Sequence, residues 1–272
     1  MVEKVNVARC GIIGYPLDHT RSPELHRSFA EQCGVDQTYV VFAVTDGDFE
    51  QTVRTFFADG GRGLNVTLPY KERALTVANN ASKQAVRAGA ANVLTQQTDG
   101  TVRADNADGV GFLADLERQN FDMHGARVCV LGAGGAAAGV IAALLDAEAD
   151  TVAVLNRSPQ RARALVERME DKRLQLLPAQ PDAFDLVINA TSASLANECP
   201  AFPNAVIGPN TLAYDLAYAA KPTPFMQRAA QLGARTCDGW GMLVEQAAES
   251  FQLWHGIRPD TVPLLRRFPP PG

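Results

Sequence analysis

The chain is 272 residues long, 46% apolar and 20% charged, with a formal net charge of −5. That length and apolar content suit one large core or two medium ones, and the acidic balance excludes a general attraction to nucleic acid or an anionic membrane. No apolar run reaches the ~18 residues of a membrane span, and the Met-Val-Glu-Lys start lacks the basic-then-apolar plan of a signal peptide, so a cytoplasmic protein is expected. Residues 5–13 alternate and then run apolar, which predicts a strand broken at Gly14-Tyr-Pro16. A helix follows from Ser22-Pro23 to Gly34, with the serine as N-cap and the proline at the first helical position. Residues 38–44 read as a strand, 49–58 as a helix and 63–67 as a short strand ending at Pro69. Residues 71–77 and 82–88 are predicted helices, and 91–97 with 102–104 a hairpin closed by the Asp99-Gly100 turn. A helix at 109–119 leads into a second half.

That half is organised around residues 128–140, Val-Cys-Val-Leu-Gly-Ala-Gly-Gly-Ala-Ala-Ala-Gly-Val. Four apolar residues, two of them β-branched, run into glycines and then into strong helix formers, the order of a strand, a tight turn and a helix. Gly132, Gly134 and Ala137 fit the G-x-G-x-x-G/A fingerprint, in which the first glycine turns the chain, the second admits a pyrophosphate and the third, small residue lets helix and strand approach. The helix start offers unpaired N–H groups to phosphate. One βαβ unit further, Thr151-Val-Ala-Val-Leu155 ends in Asn156-Arg157-Ser158. An NAD-binding chain usually has a carboxylate here for the ribose 2′-hydroxyl, whereas this one has Arg157, Ser158 and, one turn on, Arg161, donors suited to a 2′-phosphate. NADP is therefore the expected cofactor, against the alternative of a solvated cationic loop.

Further strands are predicted at 184–189, 211–216 and 234–237, then a helix at 241–256 that places Leu243, Ala247, Phe251 and Trp254 on one face and returns to the first half. The tail Phe268-Pro-Pro-Pro-Gly272 is expected to fray. The whole reads as an α/β protein: an N-terminal α/β domain with a mixed, mainly parallel sheet (residues 1–105 and 240–272) and a Rossmann domain (106–239).

In open α/β sheets ligands bind beyond the carboxyl ends of strands. Five polar clusters fall at such places: His19-Thr-Arg-Ser22, Asn65-Val-Thr-Leu-Pro-Tyr-Lys71, Asn92, Asp105-Asn-Ala-Asp108 and Asp215-Leu-Ala-Tyr218. Lys71 and Asp108 carry the most chemistry, since a lysine and a carboxylate can polarise a carbonyl and move a proton during hydride transfer. Taken singly, Lys71 also reads as a surface cation and Asp108 as a helix cap. The five scattered cysteines form no C-x-x-C pair and the four histidines no metal motif, so reduced thiols and no metal are expected.

The motifs Gly14-Tyr-Pro-Leu-Asp-His-Thr-Arg-Ser-Pro23, Asn65-Val-Thr-Leu-Pro-Tyr-Lys71, Asn106-Ala-Asp-Gly109, Gly132-Ala-Gly-Gly-Ala136, Asn156-Arg157, Asn189-Ala-Thr-Ser192 and Asp238-Gly-Trp-Gly-Met-Leu-Val-Glu-Gln246 together resemble the shikimate dehydrogenase family across nearly the whole chain, in the family's order. The resemblance implies a substrate domain facing an NADP-binding Rossmann domain across a cleft. It also implies reversible reduction of 3-dehydroshikimate to shikimate, with a place in aromatic amino acid and chorismate biosynthesis. Carried over to this sequence, it implies that Thr20, Ser22 and Tyr218 hold the substrate carboxylate, that Thr67, Asn92, Asp108 and Gln246 hold ring hydroxyls, and that Lys71 and Asp108 are the acid–base pair. Gly132, Ala133, Gly134, Gly135, Ala136 and Thr191 would meet the cofactor, Met242 the nicotinamide, and Asn156, Arg157, Ser158 and Arg161 the 2′-phosphate. The implied partner is a small molecule, with no nucleic acid or membrane, and the implied assembly a monomer or homodimer.

Four departures from the family pattern bear on substrate. Thr20 stands for the usual serine, Ala107 for a threonine, Ser194 for a common glycine, and Trp240 for a small or aliphatic residue. They leave Lys71 and Asp108 untouched and keep open a member acting on quinate, aminoshikimate or another ring hydroxy acid. A non-catalytic NADP-binding sensor is the reading from a different class.

Overall fold

The computed structural model describes residues 7–18 and 20–267, of which Arg267 is described by its backbone alone; His19, the first two residues of the expected opening strand and the tail from Phe268 lie outside them. Contacts divide the described residues into two compact units, one reaching to Ala107 and including Val244–Leu264, the other of Asp108–Leu243 with residues 265–267.

The first unit runs β1 (Ala8–Gly14), α1 (Ser22–Cys33), β2 (Gln37–Ala43), α2 (Phe49–Ala58), β3 (Gly63–Val66), α3 (Lys71–Val77), β4 (Asn80–Ala81), α4 (Lys83–Ala88), β5 (Val93–Gln96) and β6 (Val102–Asp105). Its six strands form one sheet in the order β2-β1-β3-β5-β6-β4, and β5 runs against all the others. This reversal matters for placement: the carboxyl ends of β1, β3 and β6 share one edge of the sheet with the beginning of β5. Pairing of Asn65 with Val93 and of Val93 with Asp105 sets the register there.

Alternation along the strands sorts side chains to two faces. Ile13, Leu64 and Val66 pack with Phe49, Val53 and Phe56 of α2, while Cys10 and Val93 pack with Ala107 and Trp254 on the other side. The indole of Trp254 is fully buried, donates its N–H to the Leu94 carbonyl at 3.2 Å, and lies where a Cβ on residue 63 would stand. Gly63 is thus needed for close approach, not for a special backbone angle. The start of α1 differs from the expectation of a serine N-cap. Arg21 occupies the cap position and Ser22 is the first helical residue, its side chain buried, while its N–H donates to Thr20 Oγ1 at 3.4 Å.

Behind α1, the imidazole of His26 is fully buried, stacked on Tyr39 (4.4 Å between centroids) and on Trp254 (5.0 Å), with Phe251 tilted against it. Burial, and then the charge of nearby His255, lower its pKa from 6.5 to about 3. His255, bonded to Gln37, is lowered to about 4 by burial and by Arg62. Both folded values lie below the unfolded one, so the associated stability is complete above about pH 6.5 and is lost as pH falls towards the folded values. Urea unfolding between pH 7 and 5 should show stability declining, with His26 alone contributing up to ~1.4 kcal/mol per pH unit. His26→Phe should flatten that slope; an unchanged slope would assign it to other groups.

The second unit runs α5 (Asp108–Arg118), β7 (Arg127–Leu131), α6 (Gly135–Asp146), β8 (Thr151–Leu155), α7 (Pro159–Met169), β9 (Leu174–Leu176), β10 (Leu186–Asn189), β11 (Leu212–Asp215), α8 (Pro224–Gln231) and β12 (Arg235–Cys237). The strands form a wholly parallel sheet in the order β12-β11-β10-β7-β8-β9. Val128 and Val130 face a core built with α5, α6 and α7, and Cys129 and Leu131 face a second one containing Phe184, Val206 and Phe225. Burial on both faces explains why these strands read as continuous apolar runs. From β7 the chain proceeds through α6 to β8 on one side, whereas β10 pairs on the other, so the strand order reverses at β7 and β10. Such a switch point is where open α/β sheets bind ligands.

Two closing helices, α9 (Trp240–His255) and α10 (Val262–Arg267), have their residues divided between the units at Leu243/Val244 and Leu264/Leu265. Among the described residues no helix is long and apolar enough to cross a membrane.

Candidate functional site

In the first unit the shared edge collects most of the polar residues singled out above. The ends of β1 and β3 are stitched together by Thr67 N–H to the Ile13 carbonyl (3.0 Å) and Tyr15 N–H to the Leu68 carbonyl (2.9 Å). No side chain fits on Gly14, because a Cβ there would collide with the Thr67 methyl and with the backbone of Leu68. Lys71, half-buried, is the first residue of α3, and its carbonyl accepts the N–H of Ala91 at 2.8 Å. That bond holds the start of α3 beside the turn that leads to Asn92.

Asn92 itself is buried, and each end of its amide is engaged. Its Oδ1 accepts the N–H of Ala107 at 2.7 Å and its Nδ2 donates to Gln246 Oε1 at 3.2 Å. Asn106 is buried too, donating to the Ala90 carbonyl at 2.9 Å. Asp108, 4% exposed, opens α5 in the second unit as a helical residue and not as a cap before it. Thr20 lies in the loop between β1 and α1, one residue before the N-cap Arg21, and Ser22 is the first residue of α1.

Sequence reasoning gives no role to a chain of buried hydrogen bonds under this edge. Tyr39 Oη donates to Asn65 Oδ1 at 2.8 Å, and Asn65 Nδ2 donates to Ser250 Oγ at 2.8 Å and towards the Asn92 carbonyl at 3.3 Å. Ser250 Oγ donates to the Gln246 carbonyl at 2.9 Å. The network fixes both Asn92 and Gln246 from below. One signal for it was present: Asn65 interrupts a buried strand and Ser250 sits on the apolar face of α9, positions where a polar group needs a partner.

In the second unit the carboxyl ends of five parallel strands carry the remaining candidates. Gly132 follows β7 at φ +119, and a Cβ there would lie 2.8 Å from the Ala190 carbonyl, so the turn at the switch point requires glycine on both counts. Gly134 is exposed, with nothing near its missing Cβ, and it precedes α6, whose first turn has neither a side-chain cap nor an acidic residue. The N–H groups of Gly135 and Ala136 and the open face beside Ala133 and Gly134 therefore suit an anion approaching the backbone.

After β8, Asn156 Nδ2 donates to the Ser158 carbonyl at 2.9 Å, and Ser158 precedes α7 as its N-cap residue. Arg157 and Arg161 are exposed and, among the described residues, pair with no carboxylate. After β10, Asn189 Oδ1 accepts from both the N–H (3.1 Å) and the hydroxyl (2.7 Å) of Thr191. Tyr218, beyond β11, makes an edge contact with Trp240 at 5.6 Å. Met242 is buried in the helix-side core. The preceding Gly241 lets the first turn of α9 press on the buried Asp115, which accepts from Tyr214 and pairs with Arg118. Among the described residues no cluster of metal-ligating side chains occurs.

The family model described as shikimate dehydrogenase substrate binding domain matches residues 12–94, that described as shikimate / quinate 5-dehydrogenase residues 115–197, and the shikimate 5'-dehydrogenase C-terminal domain residues 239–266. A shikimate dehydrogenase (NADP(+)) of Cellvibrio japonicus is 44% identical, over 93% of this chain and 94% of its own. The chain belongs to the shikimate dehydrogenase family. Among solved structures, an Ael1 enzyme from Pseudomonas putida is 41% identical with a TM-score of 0.87, covering 96% of this chain and 97% of that one. The shikimate 5-dehydrogenase of Thermus thermophilus, solved in complex with NADP(H) and shikimate, is 32% identical with a TM-score of 0.86, covering 96% and 99%. The two-sheet α/β architecture described above is that of the family, and the resemblance noted in the motifs is to the right one.

Proposed function

We propose that this protein is an NADP-dependent oxidoreductase that interconverts 3-dehydroshikimate and shikimate. What supports the reading is that a chain of this family has a lysine at position 71 and a carboxylate at position 108, polar residues at the shared edge of its first sheet and an open glycine turn at the switch point of its second. Residues 1–105 and 240–272 are assigned as the substrate domain and 106–239 as the cofactor domain; the two compact units differ from these bounds at residues 106–107, 240–243 and from Leu265 on.

The residues present fit the cofactor: an uncapped helix start beside Gly134 suits the pyrophosphate, and two arginines near the end of β8, paired with no carboxylate among the described residues, suit the 2′-phosphate. Bound NADPH supplies the hydride that adds to the carbonyl carbon. Lys71, as the ammonium, polarises the carbonyl and donates the proton that its oxygen acquires; in the reverse direction the free amine removes that proton from the hydroxyl. Asp108 is the carboxylate of the acid–base pair and accepts a hydrogen bond from a ring hydroxyl. Thr67, Asn92 and Gln246 orient the remaining hydroxyls, and Thr20, Ser22 and Tyr218 hold the carboxylate. Asn92 and Gln246 already hold one another at 3.2 Å, which lowers the cost of ordering them on binding. Gly132, Ala133, Gly134, Gly135, Ala136 and Thr191 line the phosphates, Asn156, Arg157, Ser158 and Arg161 the 2′-phosphate, and Met242 the nicotinamide.

The test is a spectrophotometric assay of purified protein with NADP+ against shikimate, quinate and aminoshikimate. Appearance of reduced nicotinamide with shikimate, faster than with the other two, is expected. Turnover of quinate ahead of shikimate would favour a second reading, that the extra methyl of Thr20 has moved the substrate preference. Cofactor binding without turnover of any of the three would leave a sensor.

A further inference from the structure

The side chain of Asp215 is wholly buried at the end of β11, and no cation neutralises it among the described residues. Four donors surround it instead. Oδ1 accepts from Asn189 Nδ2 and from the N–H of Ala217, each at 3.1 Å; Oδ2 accepts from the hydroxyls of Ser194 and Thr223, each at 2.6 Å. A buried carboxylate without a counter-ion is costly unless its lone pairs are filled, and here all of them are.

What distinguishes this group is where the donors come from. Asn189 and Ser194 bracket the loop after β10; Asn189 Nδ2 also donates to Ser194 Oγ at 3.0 Å, and its Oδ1 holds both polar groups of Thr191. Ala217 precedes Tyr218 in the loop after β11, and Thr223 closes that loop by capping α8, where its hydroxyl accepts the N–H of Met226 at 3.2 Å. Asn189 and Asp215 are register partners on adjacent strands, so the carboxylate stands at the root of both loops.

We infer that Asp215 is a positioning residue with two arms, one through Asn189 and Ser194 that presents the cofactor loop containing Thr191, and one through Ala217 and Thr223 that presents Tyr218 to the substrate. The inference rests on the roles proposed above for Thr191 and Tyr218 and deepens them. A general structural anchor would affect both ligands alike, whereas two arms can be cut separately.

Ser194→Ala should raise the Kd for NADP+, measured by fluorescence titration of the full chain, by about three- to tenfold, the scale of one lost hydrogen bond, and leave the shikimate KM within about twofold. Thr223→Val should do the reverse, and Thr223→Ser, which keeps the hydroxyl, should restore the wild-type KM. Equal effects of Ser194→Ala and Thr223→Val on NADP+ binding, or loss of thermal stability in both with NADP+ affinity unmoved, would overturn the two-arm role. The NADP+ titration needs no turnover, so a wild type inactive towards shikimate would sink the proposed activity and still leave the cofactor asymmetry to decide this inference.

Discussion

Lys71→Ala is expected to lower kcat for shikimate oxidation by about 10²-fold or more, while the Kd for NADP+ changes by less than about twofold. The backbone of residue 71 is fixed independently of its side chain, as the first residue of α3 and through its carbonyl on Ala91, so alanine, a good helix former, removes the ammonium and little else. Proton transfer and carbonyl polarisation act in the transition state, and a loss there appears in kcat and kcat/KM together. Lys71→Arg should rescue little, because a guanidinium stays protonated and cannot take the hydroxyl's proton. Steady-state kinetics of the three proteins check this. A rise confined to KM would make Lys71 a binding group and move the proton transfer to another residue.

Much of this site was legible because its residues obey local rules. The glycine turn declares itself at Gly132, where a positive φ and the nearby Ala190 carbonyl both demand glycine, and at Gly134, where nothing stands near the missing Cβ. The hairpin of β5 and β6 was legible from its turn: Gly100 takes a φ of +84, and the Asp99 carboxylate accepts the N–H of Thr101 at 2.9 Å. Long apolar helices and β-branched runs fell where their periodicity placed them.

Other features depend on partners distant in sequence and left only faint traces. β4 and β9, of two and three residues, exist because a neighbouring strand offers a ladder, and no periodicity can develop over that length. α8 was legible in principle, since Thr223-Pro224 is a capping residue followed by a proline in the first turn and Phe225 and Ala229 share a buried face, but eight residues span little more than two turns, too few for the period to stand out. Asn65 and Ser250 lie 185 residues apart in the chain and 2.8 Å apart in space. Each alone reads as a polar interruption. The same holds for Asp215, whose value lies in the convergence of Ser194 and Thr223 upon it. Ser22 was placed one position early because a serine before proline ordinarily caps, whereas here its side chain is buried and the Thr20 hydroxyl takes the N–H of Ser22.

The cofactor preference allows a separate experiment. Arg157→Ala should weaken NADP+ binding by about 10- to 100-fold and leave NAD+ almost untouched, since only NADP+ carries the 2′-phosphate and a charge-assisted contact of this kind contributes ~1.5–3 kcal/mol. The residue is exposed and unpaired among the described residues, so no internal ion pair competes for its guanidinium and its removal leaves no buried charge behind. Exposure also sets the salt dependence: raising ionic strength should erode the wild-type preference for NADP+ in the same direction as the substitution. Arg161, one turn along in α7, would supply the residual preference of the variant, and Arg157→Ala/Arg161→Ala should bind the two cofactors with similar affinity. Titrations of wild type and both variants with NADP+ and NAD+, at low and high salt, read all of this. Equal weakening of the two cofactors by Arg157→Ala would make the side chain a stacking group against the adenine and would remove the physical basis for an NADP preference.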